Sequence, residues 1–382
     1  MASALLARTL AGLRTVRSSP ISHAKISLTR NSIFNSKRSF IHNYLRSLSF
    51  TTSSSVRCAA TDPSSGTTST SAMQSATTNE PVVSAEWLHA HLREPDVKVL
   101  DASWYMPNEK RNPLQEYQVA HIPGALYFDV DGISDPSTNL PHMLPSEEAF
   151  SAAVSALGIE NRDGVIVYDG KGIFSAARVW WMFRVFGHDK IWVLDGGLPQ
   201  WRASGFDVES SASSDSILKA SAACEAIEKV YKGQTVPTTF MARLQPHLIW
   251  KLEQVNQNIE NKTHQHIDAR AKGRFDGTAP EPRKGLKSGH IPGSKCIPFT
   301  QMLDSSQTLL PTAELHKTFA EGGISLDQPI IASCGTGVTA CILAMGLHRV
   351  GKVDVPIYDG SWTEWAQTDA PVITASPSEN IQ

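Results

Sequence analysis

The residue best placed to do chemistry is Cys334, within Pro-Ile-Ile-Ala-Ser-Cys-Gly-Thr-Gly-Val-Thr-Ala-Cys-Ile-Leu at 329–343. This pattern predicts a buried strand, a glycine-rich loop and a helix, with Cys334 at the end of the strand. Gly335 and Gly337 can adopt positive φ angles, so successive N–H groups can face inward beside the positive end of the helix. Both features favour the thiolate, which is the nucleophilic form of cysteine. The alternative is a buried structural cysteine.

The other cysteines lack this context. We predict that Cys58, Cys224, Cys296 and Cys341 are structural thiols. Five cysteines are few and odd in number, which favours a reduced compartment over a disulfide scaffold. No further Cys or His stands at metal-ligand spacing from Cys334 and Cys341, so we predict no metal and no cofactor.

Two arginines precede the cysteine segment, Arg274 in Gly-Arg-Phe and Arg283 in Glu-Pro-Arg. A guanidinium group binds a carboxylate through two parallel hydrogen bonds and stays charged at physiological pH. Both residues are therefore candidates for binding an anionic substrate. On spacing alone, pairing with surface carboxylates is the alternative.

The elements that position these residues occur twice. His-Ile-Pro-Gly stands at 121–124 and 290–293, Leu-Asp-Ala at 100–102 matches Ile-Asp-Ala at 267–269, and Trp201 matches Trp365. Leu-Asp-Gly-Gly at 194–197 matches Tyr-Asp-Gly-Ser at 358–361, and the segment ending at Gly170 matches the one ending at Gly335. The offsets are nearly constant, so the chain is a tandem duplication.

In the first copy, Ser84 is a candidate N-cap for a helix over 85–92. Strands are predicted at 97–101, 165–168 and 191–194, and helices at 146–157 and 176–186. Alternating strands and helices predict an α/β fold with two tandem domains, each a mostly parallel sheet flanked by helices. Sites in such sheets form at the carboxyl ends of the strands.

The first copy carries Asp169 where the second carries Cys334. A carboxylate cannot carry sulfur, so we predict that the first domain is inactive and that the active site lies in the cleft between the domains. The predicted organisation is a first domain over 81–207, a connection over 208–245 and a catalytic domain over 246–375. Residues 61–80 form a low-complexity linker.

Residues 1–60 contain nine of the 35 Lys and Arg and none of the 37 Asp and Glu. An Arg-rich, Ser-rich and acid-free N-terminus is typical of an organelle transit peptide, and we predict the mitochondrial matrix, with the chloroplast or dual targeting as alternatives. The rest of the chain has a formal charge of −11, which argues against nucleic acid as a partner. No apolar stretch is long enough to predict a membrane span.

The tandem His-Ile-Pro-Gly units, the Asp-Gly-[Gly/Ser]-x-x-x-Trp endings and Cys-Gly-Thr-Gly-Val-Thr resemble the two-domain rhodanese superfamily. Trp-Trp-Met-Phe-Arg at 180–184 and His-Met-Leu-Pro at 142–145 also fit, and the resemblance extends from Pro81 to Val372. Within the superfamily, the chain resembles the plant-type mercaptopyruvate and thiosulfate sulfurtransferases.

This resemblance implies that Cys334 accepts a sulfur atom as a persulfide. It implies that the active loop comprises Cys334, Gly335, Thr336, Gly337, Val338 and Thr339, and that Arg274 and Arg283 bind the substrate carboxylate. Asp131 and His142 match positions of a polar relay toward the third loop residue. That residue is Thr336 here, where many relatives have Ser, so its added methyl group changes the relay.

The resemblance also implies the reactants. The donor is 3-mercaptopyruvate or thiosulfate, and the acceptor is cyanide, a small thiol or thioredoxin. Thiosulfate-preferring relatives place basic side chains just after the cysteine, whereas this loop has Gly335 and Thr336. We therefore predict 3-mercaptopyruvate as the better donor, with pyruvate as its product.

Two other classes of protein share such a scaffold. A cysteine phosphatase requires an arginine six residues after the nucleophile, and that position here is Ala340. A non-catalytic sulfur-carrier or regulatory module is the other alternative. The intact Cys334 favours an enzyme, and an assay for cyanolysable sulfur distinguishes the two.

Overall fold

The structure is a computed structural model that describes residues 80–210 and 214–375. The predicted transit peptide, Cys58 and all but Glu80 of the predicted linker lie outside the described residues.

The described chain contains two five-stranded sheets, and every pairing between strands is parallel. The first sheet has the order β1-β5-β4-β2-β3 and the second has β6-β10-β9-β7-β8. The strands of the first sheet are β1 (Val82–Val83), β2 (Val97–Asp101), β3 (Leu126–Tyr127), β4 (Gly164–Tyr168) and β5 (Ile191–Leu194). Those of the second are β6 (Ile249–Trp250), β7 (Gln265–Asp268), β8 (Ser294–Cys296), β9 (Ile330–Ser333) and β10 (Ile357–Tyr358). The identical order in the two sheets confirms the tandem α/β fold.

Helices connect the strands, as parallel pairing requires. Those of the first half are α1 (Ala85–His91), α2 (Pro113–Val119), α3 (Glu147–Ala156), α4 (Ala176–Val185), α5 (Gly197–Ala203) and α6 (Ser214–Tyr231). Those of the second half are α7 (Leu252–Asn261), α8 (Lys272–Asp276), α9 (Thr312–Glu321), α10 (Ala340–Arg349) and α11 (Ser361–Trp365). The predicted cap of the first helix is present, because the Ser84 side chain accepts a hydrogen bond from the Trp87 N–H.

The repeated motifs have structural roles. His121 and His290 each place Nδ1 within 2.8 Å of a backbone carbonyl and stack on an aromatic ring, Tyr117 and Phe275 respectively. Trp201 and Trp365 are fully buried, and each donates its indole N–H to a backbone carbonyl six residues later. The equivalent residues therefore form the same buried hydrogen bonds and ring contacts in both copies.

The predicted connection between the copies contains helix α6, which packs on α3. After α6 the chain runs along α3, where the Ser155 hydroxyl accepts from the N–H groups of Thr239 and Phe240 at 2.9 Å. The connection is therefore tied to the first domain.

The two domains share one apolar core. Helices α4 and α10 pack against each other, and buried residues of both sheets belong to the same hydrophobic cluster. At its edge, Arg349 of the second domain pairs with Glu80, with 2.5 Å between Nη2 and Oε1. A large apolar interface restricts relative motion of the domains, so the site at their junction is preformed. Within the described residues, no helix is both long enough and apolar enough to span a membrane.

Candidate active site

Cys334 follows the last residue of β9, at the carboxyl edge of the second sheet, and its surface is 2% exposed. Its N–H donates to the Ser361 hydroxyl at 3.2 Å, and its carbonyl accepts from the Trp362 N–H at 2.9 Å. Ser361 itself has a φ of 51°, which is unusual for a residue with a side chain. The start of α11 therefore fixes the backbone of Cys334.

The loop from Cys334 to the start of α10 presents backbone donors. No hydrogen bond joins the N–H groups of residues 335–339 to another protein group in the described part of the chain. Gly337 has a φ of 74°, and a Cβ there would lie 2.8 Å from Arg178 Nη1 and 2.9 Å from the Asp359 carbonyl oxygen. Only glycine satisfies both requirements, so the pattern that predicted a glycine-lined loop has a steric basis.

The corresponding loop of the first domain holds an anion with backbone N–H groups. The Asp169 carboxylate accepts from the N–H groups of Lys171, Phe174 and Ala176 at 2.8, 2.7 and 2.9 Å. Burial raises the pKa of Asp169, and these three hydrogen bonds act in the opposite direction. In the first copy, the strand–loop–helix unit therefore directs three backbone N–H groups at one carboxyl group.

Arg274 lies beside the Cys334 loop. A Cβ on Gly335 would be 3.0 Å from Arg274 Nη2, and the Arg274 side chain is 24% exposed. The buried Glu281 carboxylate holds Arg274, with 2.6 Å between Oε2 and Nη2, and also pairs with Arg270 at 2.9 Å. Arg270 in turn forms a buried pair with Asp268 at 2.7 Å. This network fixes the direction of the Arg274 guanidinium group.

Arg283 is half-buried and lies among the other predicted site residues. Burial lowers its pKa, and the charges of Asp131 and Cys334 act in the opposite direction. Its own charge acts on Asp131 and His142. The two predicted arginines thus approach Cys334 together, with Arg283 on the side of the first domain.

Asp131 and His142 lie next to each other, with 2.9 Å between His142 Nδ1 and Asp131 Oδ1. The Trp104 indole N–H donates to the other carboxylate oxygen at 2.9 Å, and its ring packs edge-on against His142. Burial lowers the pKa of His142, although Asp131 opposes this effect, so the imidazole is neutral at neutral pH. Burial raises the pKa of Asp131, but His142, Trp104 and Arg283 outweigh it and leave that pKa below its usual value.

Neither buried ring nitrogen of His142 has an aligned hydrogen-bond partner among the described residues, although Nδ1 lies beside the Asp131 carboxylate. Thr336 is buried nearby on the loop. In the part of the chain that the structure describes, no hydrogen bond joins Thr336 to His142 or to Asp131. The structure brings the first two members of the predicted relay together and leaves the third separate.

Arg178 of helix α4 was not predicted. It is fully buried, forms an ion pair with Asp359 at 2.7 Å and donates to the Gly337 carbonyl at 3.3 Å. It also donates to the carbonyl of His142, whose φ of 63° is strained for a residue with a side chain. One side chain from the first domain therefore holds both the loop of the second domain and His142.

Asp359 completes this junction, because its other carboxylate oxygen accepts from the Leu144 N–H at 3.0 Å. The sequence offered one signal for it, namely its repetition as Asp195 in the first copy. Ser361 belongs to the same repeated motif, and for Arg178 and Glu281 the sequence offered no signal of a role.

The other cysteines of the described residues, Cys224, Cys296 and Cys341, are held as thiols. Burial raises the pKa of Cys224 and of Cys296 to about 12, and raises that of the fully buried Cys341 further. No group of three or more potential His, Cys, Asp or Glu metal ligands occurs in the described ranges.

The comparisons with known proteins agree with this geometry. The family of rhodanese-like domains matches residues 84–204 and 251–368. The mitochondrial thiosulfate/3-mercaptopyruvate sulfurtransferase 1 of Arabidopsis thaliana is 74% identical over 306 residues, covering 80% of this chain and 81% of the relative. Human 3-mercaptopyruvate sulfurtransferase is 41% identical over 296 residues, covering 76% and 93% respectively.

Among solved structures, SseA from Escherichia coli, a 3-mercaptopyruvate sulfurtransferase, superposes with a TM-score of 0.62. It is 35% identical in sequence, and the match covers 74% of this chain and 99% of SseA.

Proposed function

The chain belongs to the rhodanese family, and we propose that it is a sulfurtransferase that takes sulfur from 3-mercaptopyruvate through a Cys334 persulfide. Thiosulfate is the weaker donor, and a thiol, thioredoxin or cyanide accepts the sulfur. The observation that carries this proposal is the paired loop, in which backbone N–H groups hold the Asp169 carboxylate at the position that Cys334 takes in the second domain.

In the first half-reaction the Cys334 thiolate attacks the sulfur atom of 3-mercaptopyruvate. A sulfur–sulfur bond forms and the carbon–sulfur bond breaks, so that its electron pair passes to carbon as the enolate of pyruvate. Arg274 and Arg283 bind the carboxylate and stabilise the charge that develops on the enolate oxygen. The enolate then takes a proton from water, or through Thr336 or His142, and leaves as pyruvate.

In the second half-reaction a thiolate or cyanide attacks the outer sulfur of the persulfide. The sulfur–sulfur bond breaks and its electron pair returns to Cys334 as the thiolate. The N–H groups of the loop stabilise the anion in both states, which removes the need for a neighbouring general base. Because Cys334 is 2% exposed, donors and acceptors must be small or must present a narrow sulfur group.

The charges around the loop support 3-mercaptopyruvate over thiosulfate. Gly335 and Thr336 provide no cation for the second charge of a dianion, and Glu281 already neutralises part of Arg274. The positive charge that Arg274 and Arg283 still offer suits the single carboxylate of 3-mercaptopyruvate better than the dianion thiosulfate. Comparing kcat/KM for the two donors tests this preference, and a clear preference for thiosulfate would refute it.

Mass spectrometry of the intact protein tests the proposal most directly. After exposure to 3-mercaptopyruvate alone, Cys334 should carry one added sulfur atom, and one pyruvate should appear for each sulfur bound. Pyruvate release without added mass on Cys334 would exclude the persulfide intermediate. Cyanolysable sulfur without turnover would instead indicate a sulfur carrier.

We further propose the boundaries given by the sequence, namely domains over 81–207 and 246–375 with a connection over 208–245. The family matches at 84–204 and 251–368 support them.

Import into mitochondria is supported by the basic N-terminal sequence and by the mitochondrial relative, and fractionation of tagged protein between mitochondria and chloroplasts tests it.

A further inference from the structure

A cavity of about 670 Å³ opens at the carboxyl edge of the first sheet, away from Cys334. Its floor includes Asp101 and Ser103 at the end of β2, and Gly170 of the β4–α4 loop. Its wall and rim include Lys110, Arg111, Glu116, Leu198 and Arg202. A volume of several hundred Å³ is typical of pockets that bind small molecules.

The duplication shows what the same position contains in the second domain. Asp101 corresponds to Asp268, and the two make the same turn: Oδ1 accepts from the N–H of the residue two positions later, at 2.9 Å in both copies. That residue is Arg270 in the second domain and Ser103 in the first. The Arg270 guanidinium binds the Asp268 carboxylate through Nε and Nη2, at distances of 2.7–3.1 Å.

Two other contacts of Arg270 can be compared between the copies. Arg270 stacks 4.2 Å from the centre of the Trp362 ring, and the corresponding residue in the first copy is the smaller Leu198. Arg270 donates to the carbonyl of Gly289, and the corresponding Ala120 lines the cavity. The first domain thus keeps the carboxylate turn of this site, whereas Ser103 and Leu198 are smaller than Arg270 and Trp362, and the Tyr105 hydroxyl lies beside Ser103 and Gly170.

The cavity has a buried carboxylate at its floor and, among the described residues, unpaired cations at its rim. Asp101 is 1% exposed, and its partners are the neutral groups of Ser103 and Tyr168. No ion pair involves Asp101, Lys110 or Arg202 within the described residues, whereas Arg111 is engaged by Glu116 at 2.6 Å. Burial without a cation raises the pKa of Asp101 to about 6. A carboxylate at the floor and two cations at the rim form a dipolar pocket.

We propose that this cavity binds a small molecule that carries both a guanidinium group and a carboxylate, such as a free arginine-like amino acid. The guanidinium pairs with Asp101 as Arg270 pairs with Asp268, and the carboxylate of the ligand lies toward Lys110 and Arg202. The proposal is independent of sulfur transfer, because none of these residues contacts the Cys334 loop.

Isothermal titration of the full chain with L-arginine tests the proposal. L-arginine should bind saturably in the millimolar range or tighter, whereas L-citrulline, its uncharged isostere, should bind at least tenfold more weakly. Agmatine, which lacks the carboxylate, should fall between them. Equal binding of arginine and citrulline would overturn the guanidinium assignment, and equal binding of arginine and agmatine would overturn the role of the rim.

Arginine binding by variants tests whether the ligand occupies this cavity. Asp101→Asn should weaken arginine binding at least tenfold, whereas Asp369→Asn, at an exposed aspartate of the second domain, should leave it unchanged. Ser103→Arg should abolish binding because it restores the side chain that fills the site in the second domain. Sulfur transfer from 3-mercaptopyruvate verifies that each variant is folded. A folded Ser103→Arg protein that still binds arginine would overturn the proposal.

Discussion

At the scale of single residues, the two copies treat negative charge in different ways. Asp268 is matched by a buried arginine, Asp169 is held by three backbone N–H groups, and Asp101 is buried with neutral donors only. Cys334 occupies the same place before helix α10, followed by loop N–H groups that have no other partner among the described residues. We therefore expect the chemistry of this site to depend on peptide groups more than on charged side chains.

Replacing the nucleophile should separate chemistry from folding. In Cys334→Ser the hydroxyl is nearly isosteric, so the fold should persist, but a neutral hydroxyl neither attacks sulfur nor carries it. Transfer from 3-mercaptopyruvate should fall to less than about a tenth of the wild-type rate. The measurement is pyruvate release, with circular dichroism as the control for folding. Retention of more than that fraction would exclude the mechanism.

The two arginines should differ in their response to lysine. Arg274 is held through Nε and Nη2 by Glu281, a geometry that lysine cannot reproduce, so Arg274→Lys should raise KM for 3-mercaptopyruvate about tenfold, or ~1.4 kcal/mol. The matched variant Lys272→Arg, on the exposed side of the same helix, should leave KM unchanged. Unchanged kinetics in Arg274→Lys would mean that Arg274 does not contact the donor.

The buried Asp101 should make stability depend on pH. Its pKa rises from an ordinary value of 3.8 to about 6 on folding, because burial disfavours the charged form. The folded state therefore binds the proton more tightly, and this contribution to stability is complete below about pH 4 and is lost as the pH rises to about 6.

Asparagine cannot ionise, so Asp101→Asn should gain stability relative to the wild type across this interval, by about 2–3 kcal/mol. Urea unfolding of both proteins at pH 4 and pH 7 measures the effect. Parallel stability profiles would show that the Asp101 carboxyl has an ordinary pKa in the folded protein.

At the scale of elements, the site is the meeting point of β9, the loop after it and helix α4 of the other domain. Arg178 on α4 joins them through Asp359, Gly337 and His142. It touches no reacting atom and acts as a positioning residue. We expect it to hold the Gly337 carbonyl toward α4, which leaves the N–H groups of the loop for the sulfur.

Removal of this charge should damage both stability and turnover. Arg178→Met leaves Asp359 buried without its cation, which costs about 3–5 kcal/mol. In the folded protein kcat should fall at least tenfold, while the double variant Arg178→Met with Asp359→Asn should recover much of the stability but not the kcat. If the double variant recovered both the stability and the kcat, Arg178 would have only a structural role.

At the scale of the whole molecule, the two domains act as one body because their apolar cores merge between α4 and α10. The interface excludes water from the Arg178–Asp359 pair, so neither half is expected to keep its site alone. This arrangement explains why a domain without a cysteine persists, since its α4 supplies the second wall of the site.

A merged core predicts a single unfolding transition. Tryptophan fluorescence and far-ultraviolet circular dichroism should give the same midpoint in urea, because unfolding of one domain would expose the apolar face of the other. The two midpoints should still coincide when 3-mercaptopyruvate is added. Two transitions with different midpoints would show that the domains are energetically independent.

The sequence alone determined the duplication and the α/β class, because these depend on local pattern: apolar strands, glycine spacing and helix capping are readable within a few residues of chain. It also proposed Cys334 from its loop, and Arg274, Arg283, Asp131 and His142 through resemblance, and these roles stay predictions. The long helix α6 within 208–245 was not foreseen, since its serine-rich start resembles a loop.

Only the tertiary structure decided the rest. Arg178 lies in an apolar helix and is separated from Asp359 by a whole domain, so nothing local marks it as buried beside the loop. The pairing of Glu281 with both Arg270 and Arg274, and the cavity at Asp101, likewise depend on which side chains the folded sheets bring together. Burial and long-range charge pairing are properties of the packed molecule, and a linear pattern does not contain them.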